Sequence, residues 1–152
     1  MIAVDGPRTD VNDVTTYAYY TCTTGYQCGQ LQSVTNALGH VTTYNSYNAH
    51  GQATEITGTN GLVTSIAYDL RQRVTDRCVG GALPGCAGGE LTHLDYWPTG
   101  LLKKVTNPDG SFIEYVYDAA HRLTEIEDGA QNRMVFTLDA MGNRTAESTY
   151  DP

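Results

Sequence analysis

The sequence is poor in the residues that build a conventional core. Leu, Ile, Val and Phe together account for 29 of 152 residues, and with a net charge of -8 that composition borders on the range of disordered chains. Basic residues are also scarce, with Lys103 and Lys104 the only lysines. Phosphate binding needs a basic surface that releases counterions, so the acidic balance argues against nucleic acid or an anionic membrane as partner. No apolar run approaches the roughly 20 residues that cross a bilayer. The opening Met1-Ile2-Ala3-Val4-Asp5-Gly6-Pro7 has neither a basic leader nor an apolar leader core. The expectation is a chain that is cytoplasmic as made or a piece cut from something larger. From Val14 to Thr54 there is no Asp, Glu, Lys or Arg. An uncharged, strand-prone surface of that length invites aggregation unless neighbouring strands cover its edges.

Against disorder stand 11 Tyr, a large stock of Thr and a repeat. The segment Tyr117-Asp118-Ala119-Ala120-His121-Arg122-Leu123-Thr124 recurs as Tyr47-Asn48-Ala49-His50-Gly51-Gln52-Ala53-Thr54 and as Tyr68-Asp69-Leu70-Arg71-Gln72-Arg73-Val74-Thr75. It returns as Tyr96-Trp97-Pro98-Thr99-Gly100-Leu101-Leu102-Lys103 and, without its Tyr, as Leu138-Asp139-Ala140-Met141-Gly142-Asn143-Arg144-Thr145. The leading positions 47, 68, 96, 117 and 138 are 21, 28, 21 and 21 residues apart. A fixed period of about twenty means one supersecondary unit stacked on its neighbours. Tyr20-Thr21, the Cys22 to Cys28 insertion and Gly29-Gln30-Leu31 make a lengthened first copy.

Each copy reads as a hairpin, with Gly51, Gly100 or Gly142 where the turn needs a positive φ. His121 can enter that backbone region more readily than most residues; Gln72 cannot, which predicts a different turn there. Gly39, Gly61 and Gly110 mark the opposite hairpin ends. Before each corner the alternation is clean: Ile113, Tyr115 and Tyr117 share one face, Phe112, Glu114 and Val116 the other. The Tyr-bearing face is the apolar one and is expected to pack. After each corner apolar residues fall two and five positions past the Gly-equivalent, as with Leu123 and Ile126. Three apart is an odd step for a strand, so either both faces are partly buried or a bulge re-aims one residue. In the last copy those positions are Arg144 and Glu147, which suits an exposed strand. The reading is an all-β fold: residues 1–14 an irregular lead-in, residues 15–152 about six hairpin repeats, the last running into a further one.

The four cysteines form two close pairs, Cys22 with Cys28 and Cys78 with Cys86. Two readings stand: disulfides pinning two loops in an oxidising setting, or free thiols in a reducing cell. Zinc fits poorly, because five and seven intervening residues exceed the usual two to four. The Cys78 to Gly89 piece is seven residues longer than its counterparts and Gly-rich, which means a longer loop between strands that resume in register. Three acids in the lead-in, Asp5, Asp10 and Asp13, lack the Gly and closing Glu of a calcium loop.

Asp69, Asp118 and Asp139 stand at equivalent corners. A catalytic carboxylate is needed once, so its repetition points to capping of turn amides. His40, His50, His93 and His121 have no metal-ligand spacing, and no Cys or Ser sits in a nucleophile motif. No catalytic residue, cofactor or metal site is assigned, and the chain is read as non-enzymatic. Tyr96 and Trp97 are candidates for stacking on a sugar ring, although sheet packing accounts for most of the aromatics.

With these residues assembled, the sequence from about Thr15 to Asp151 resembles the Rhs/YD-repeat family. The resemblance rests on Tyr115-Val116-Tyr117-Asp118 with Arg122-Leu123-Thr124, on Tyr68-Asp69 with Arg73-Val74-Thr75, and on Tyr47, Gly51, Tyr96, Gly100, Asp139 and Gly142 holding equivalent places. The lead-in from Asp5 to Val11 is similar to segments of bacterial Rhs proteins. The resemblance implies a strip of β-hairpins wound as a curved, spiral antiparallel sheet, part of a shell. In bacterial members and toxin-complex subunits such a shell encloses a C-terminal toxin; in teneurins YD shells serve cell-surface recognition. It implies as partner the remaining repeats of a larger chain. The two open edges of such a strip predict self-association, and exposed aromatics on the curved sheet give the alternative of a carbohydrate- or protein-binding module. A secreted or cell-surface location follows if the cysteines are oxidised, and a cytoplasmic one before export otherwise. The ending at Tyr150-Asp151-Pro152 reads as the opening of another repeat and hence as a fragment.

Overall fold

The computed structural model describes residues 1–8 and 10–152; Thr9, in the lead-in, lies outside them. Every regular element among the described residues is a β-strand. Two compact units divide the chain, Met1–Glu90 and Leu91–Pro152. In the first, β1 (Ile2–Val4), β2 (Thr15–Tyr19), β3 (Leu31–Thr35), β4 (Val41–Tyr47), β5 (Ala53–Thr57), β6 (Val63–Tyr68) and β7 (Val74–Val79) follow one another. Each pairs antiparallel with its neighbours in the chain. In the second, β8 (Glu90–Tyr96), β9 (Leu102–Thr106), β10 (Phe112–Tyr117), β11 (Leu123–Asp128), β12 (Arg133–Leu138) and β13 (Arg144–Tyr150) do the same. The fold is all-β and built of tandem hairpins: β2–β3, β4–β5 and β6–β7, then β8–β9, β10–β11 and β12–β13. Strand β1 forms within the lead-in, where the sequence reads as irregular, because Ile2–Val4 aligns with Thr15–Tyr17.

The odd spacing after each corner is resolved by a bulge. Tyr117 faces Leu123 and Tyr115 faces Ile126, with the register slipping between Val116 and Tyr117. Tyr117 and Tyr115 share a face, so Leu123 and Ile126 both land on it. The same slip sets Tyr68 opposite Val74, Tyr96 opposite Leu102, and Tyr19 opposite Leu31. A one-residue bulge is therefore part of the repeat, and it concentrates the apolar residues on the Tyr-bearing face.

Neither face is sealed. On β10, Ile113 and Val116 belong to opposite faces, yet both are exposed. The only apolar residues buried among those described are Cys78, Cys86 and Phe136, at 0 %, 5 % and 5 % exposure. Phe136 is covered by the guanidinium of Arg144, whose carbon lies 3.8 Å from the ring centroid. Arg144 also bonds Glu147 at 2.9 Å, and every residue of β13 is exposed, as the charged positions of the last copy predict. Stability thus rests on hydrogen bonds and half-buried pairs across strands more than on a core.

The densest packing in the first unit is the long loop after β7. It folds back so that Ser65 Oγ donates to the Gly81 carbonyl at 3.2 Å, and Ser65, opposite Cys78, is itself buried. A Cβ on Gly89 would come within 2.5 Å of the Gly81 nitrogen and 2.6 Å of the Val79 carbonyl oxygen. Backbone cannot yield as a side chain tip can. Gly89→Ala is therefore expected to lower the unfolding free energy by about 1–3 kcal/mol, read from the urea midpoint, and an unchanged midpoint would contradict this packing.

Candidate functional site

The recurring feature is the corner. In each short corner the amide of the first residue bonds the carbonyl of the fifth, and the amide of the fourth bonds the carbonyl of the first. The distances are 2.9 and 3.0 Å at Asn48, 2.9 and 2.9 Å at Asp69, 2.8 and 2.8 Å at Trp97, 2.9 and 2.9 Å at Asp118, and 3.0 and 3.0 Å at Asp139. The fourth residue has a positive φ, which Gly51, Gly100 and Gly142 adopt at 78°, 101° and 90°. Gln72 and His121 adopt it too, at 65° and 63°. The sequence predicts another turn type at Gln72; the corner is the same, because its hydrogen bonds and its Asp cap impose the conformation on a residue that disfavours it. Gln131 does likewise at 70° at the opposite end of a hairpin, between β11 and β12, a position that sequence reasoning missed.

The corner Asp accepts what the turn leaves unpaired. Asp118 Oδ1 takes the amides of Ala120 and Arg122 at 2.9 and 3.0 Å, and its Oδ2 takes Arg122 Nε at 2.7 Å. Asp69 does the same with Arg71 and Arg73, both at 2.9 Å, and with Arg73 Nε at 2.8 Å. Asp139 substitutes the side-chain amide of Asn143 for the Arg, at 2.9 Å. Asn48 fills the same place, its Oδ1 accepting the amides of His50 and Gln52 at 3.0 Å. The donors hold these carboxyls below the ordinary Asp range: chiefly the Arg73 side chain at Asp69, the Arg122 amide at Asp118 and the Asn143 side chain at Asp139. Carboxylates so fully engaged are structural caps, poorly placed for proton transfer.

In the first unit the signature Tyr joins one hairpin to the next. Between β3 and β4 the backbone ladder covers only Ser33–Thr35 against Val41–Thr43, and between β5 and β6 only Glu55–Thr57 against Val63–Ser65. Beyond the ladders the carbonyls are taken up by tyrosines: Tyr47 donates to Leu31 at 2.6 Å, and Tyr68 donates to Ala53 at 2.8 Å. Tyr20 reaches the Tyr44 carbonyl at 2.7 Å. Burial pushes the Tyr47 and Tyr68 hydroxyls up from the usual phenol range. Corners also touch directly: Gln52 Nε2 donates to the Gln72 carbonyl at 2.9 Å, and Arg122 to the Asp139 carbonyl at 3.2 Å. These acceptors are main-chain atoms, so the sequence carries no mark of them. Tyr68→Phe is expected to cost about 1 kcal/mol, seen as a lower urea midpoint with an unchanged slope; no loss would show that water replaces the bond freely.

Trp97 departs from this scheme. At the cap position of its corner, it sends Nε1 to the Tyr115 carbonyl of the next hairpin at 3.3 Å. The indole lines a groove of about 340 Å³ with residues of the neighbouring corner. Tyr96, the other stacking candidate, is half-buried opposite Leu102 and does not line that groove. Disulfides join Cys22 to Cys28 and Cys78 to Cys86, with Cα separations of 5.0 and 5.5 Å. The first closes the insertion of the lengthened corner, whose frame is Tyr20 N to Gln30 O at 3.0 Å and Gly29 N to Tyr20 O at 3.1 Å. No group of three or more metal-ligating side chains occurs among the described residues.

The RHS Repeat family model matches residues 96–133, which hold the Trp97 and Asp118 corners. No curated protein matches the sequence significantly. Among solved structures, the crystal structure of TcdB2-TccC3-Cdc42 aligns with 91 % of this chain at 16 % identity and a TM-score of 0.73. TcdB2-TccC3 without its hypervariable C-terminal region aligns with 93 % at 17 % identity and 0.67. The Photorhabdus luminescens Tc holotoxin pore aligns with 92 % at 16 % identity and 0.59. The matched lengths are 8 %, 8 % and 9 % of those chains, so the chain spans less than a tenth of each. At these identities the likeness is one of fold.

Proposed function

We propose, on the premise that the chain carries RHS repeats, that it is a segment of wall: a non-enzymatic part of an Rhs-type β-shell that encloses a toxin or other C-terminal cargo. The observation that carries this reading is the seam. In the first unit two hairpins bond their neighbours through their own signature side chains, Tyr47 to Leu31 and Tyr68 to Ala53, a joint that a further Tyr-bearing repeat can extend. A surface that must be extended without limit needs such a self-propagating joint, whereas an active site needs one departure from the pattern. The engaged corner carboxylates support the same conclusion.

Further repeats of a larger chain are the partner we assign, with pairing of strand edges between copies as the second route of association. The two disulfides favour a secreted or cell-surface setting. Electron microscopy of the whole natural chain that contains this segment tests the proposal: a hollow shell with this segment in its wall is the expected image. Hydrolase activity that disappears with Asp118→Asn would replace the structural reading by a catalytic one.

A further inference from the structure

Seams between hairpins share one register. In the pairs β5–β6, β9–β10 and β11–β12, the third residue of the strand leaving a corner lies opposite the residue three before the end of the next strand: Glu55 opposite Ser65, Lys104 opposite Glu114, Glu125 opposite Val135. Where the next strand ends in Tyr68, its hydroxyl closes the seam on the first residue of the leaving strand, Ala53, at 2.8 Å. Strand β1 obeys the same rule, with Ala3 opposite Thr16, three before Tyr19. It thus fills the place of a strand that leaves a corner.

It fills that place weakly. Every residue of β5, β9 and β11 is half-buried, whereas all of β1 is exposed, Ile2 at 56 % and Val4 at 53 %. Tyr19, the signature Tyr of its corner, is exposed, and its hydroxyl makes no hydrogen bond among the described residues. Met1, in the place of Ala53, is exposed as well. The second unit holds a matching strand. β13 leaves a corner, starts with Arg144 in the place of Ala53, and is exposed along its whole length. Its register pairs with β12 already hold it extended, so little freedom is lost when its other edge pairs.

We propose that β1 is a displaceable placeholder and that β13 of a second copy takes its place on β2. By the common register Ala146 of one copy lies opposite Thr16 of the other, Glu147 lies opposite Thr15, and Tyr19 donates to the Arg144 carbonyl. β2 carries no charge, so neither Arg144 nor Glu147 meets its own sign there. The exchange keeps a ladder of similar length and adds the Tyr bond, which favours it. The tether of residues 5–14 opposes it by holding β1 at high effective concentration. The joint is head to tail, so it adds copies without stopping at two. The inference rests on the pairing of strand edges between copies proposed above and names the strands that pair.

The experiment mixes two variants of the full chain, Ala146→Cys and Thr16→Cys, in an oxidising glutathione buffer and follows cross-linked species on non-reducing gels. The mixture should form an intermolecular disulfide at least about 10-fold faster than either variant alone, placed by mass spectrometry between the two introduced thiols. Sedimentation of the parent from about 10 μM to about 1 mM should show oligomers that grow with concentration, half-associated on the order of 0.1 mM. Tyr19→Phe should weaken association about 5-fold with an unchanged urea midpoint, because the hydroxyl bonds nothing in the single chain. Ala3→Pro combined with Val4→Pro, which takes β1 out of the ladder, should strengthen association about 10-fold; the cross-linking pair decides the question should that variant not fold. A monomer throughout the range with no faster cross-linking in the mixture overturns the proposal, and it leaves the wall reading to the imaging of the natural chain. Cross-linking of Ala146→Cys alone as fast as the mixture identifies two-fold pairing of β13 with itself and overturns it equally.

Discussion

Replacing Cys78 and Cys86 together by alanine is expected to lower the unfolding free energy by roughly 3–5 kcal/mol, against roughly 2 kcal/mol for the same change at Cys22 and Cys28. Loop closure alone does not separate the two, because the sequence separations of 8 and 6 restrict the unfolded chain almost equally. Burial does. Cys78 and Cys86 are buried with Ser65 beneath the folded-back loop, the one fully buried cluster described in the first unit. Removing their sulfurs leaves space that surrounding backbone cannot fill, since Gly81 and Gly89 already touch. Cys22 is exposed at the start of an insertion and has little to lose beyond the tether. Urea midpoints of the two double variants against the parent check the difference. Graded reduction followed by thiol alkylation should label Cys22 and Cys28 first. Equal losses, or the reverse order of labelling, would show that the long loop does not serve as a core.

The consequence for the sheet is mechanical. Where both sheet faces are half open, a unit of this size has little stability to spare, and one stapled loop supplies a sizeable part of it. The insertion that lengthens one repeat is then a fastening, and its Gly content is what lets backbone pack on backbone.

Much of this fold is legible in the sequence, for a physical reason: a repeat states its own geometry several times. The period, the hairpins, the strand faces and the capping role of Asp69, Asp118 and Asp139 all follow from comparing copies. The spacing of Leu123 and Ile126 signalled the bulge, but it had a second reading until Tyr117 and Tyr115 were seen opposite them. Gln72 misled because backbone preference was weighed without the Asp69 cap that overrides it. The Tyr seam was hidden because its acceptors are carbonyls, which every residue has. The loop after β7 read as mere length, since glycines give no sign of whether they are loose or tightly packed. Trp97 stands out in the sequence as a stacking candidate, but its groove depends on a corner 21 residues away, brought beside it by the register.

Stability should be flat across neutral pH, fall as the pH drops below about 4, and fall again above about 10. Five turn carboxyls set the acid limb: Asp69, Asp109, Asp118, Asp128 and Asp139 are all held below the ordinary Asp range. The chief causes are the side chains of Arg73 at Asp69, Ser111 at Asp109, Asn132 at Asp128 and Asn143 at Asp139, and the Arg122 amide at Asp118. A carboxyl with a lower value in the folded state favours folding at any pH above its unfolded value. That contribution disappears as acid protonates the folded form, so the loss begins near the unfolded Asp value of about 3.9 and grows downward. Tyrosine sets the alkaline limb with the opposite sign. Tyr47, Tyr68 and Tyr117 are raised, by burial first, so they favour folding below about 10 and cease to do so as the pH climbs through their folded values. The fold contains its own control for the acid limb. Asn48 caps its corner with the same two amide bonds and no charge. Asp69→Asn, Asp118→Asn and Asp139→Asn combined should therefore leave the protein folded at pH 7, keep the alkaline limb, and make the acid limb shallower, with Asp109 and Asp128 supplying what remains, in urea midpoints measured from pH 2 to 8. An acid limb as steep as the parent's would mean that carboxylates outside the corners govern acid unfolding. Collapse at pH 7 would mean that the charge itself, paired with Arg73 and Arg122, holds the corner and that hydrogen-bond capping alone is insufficient.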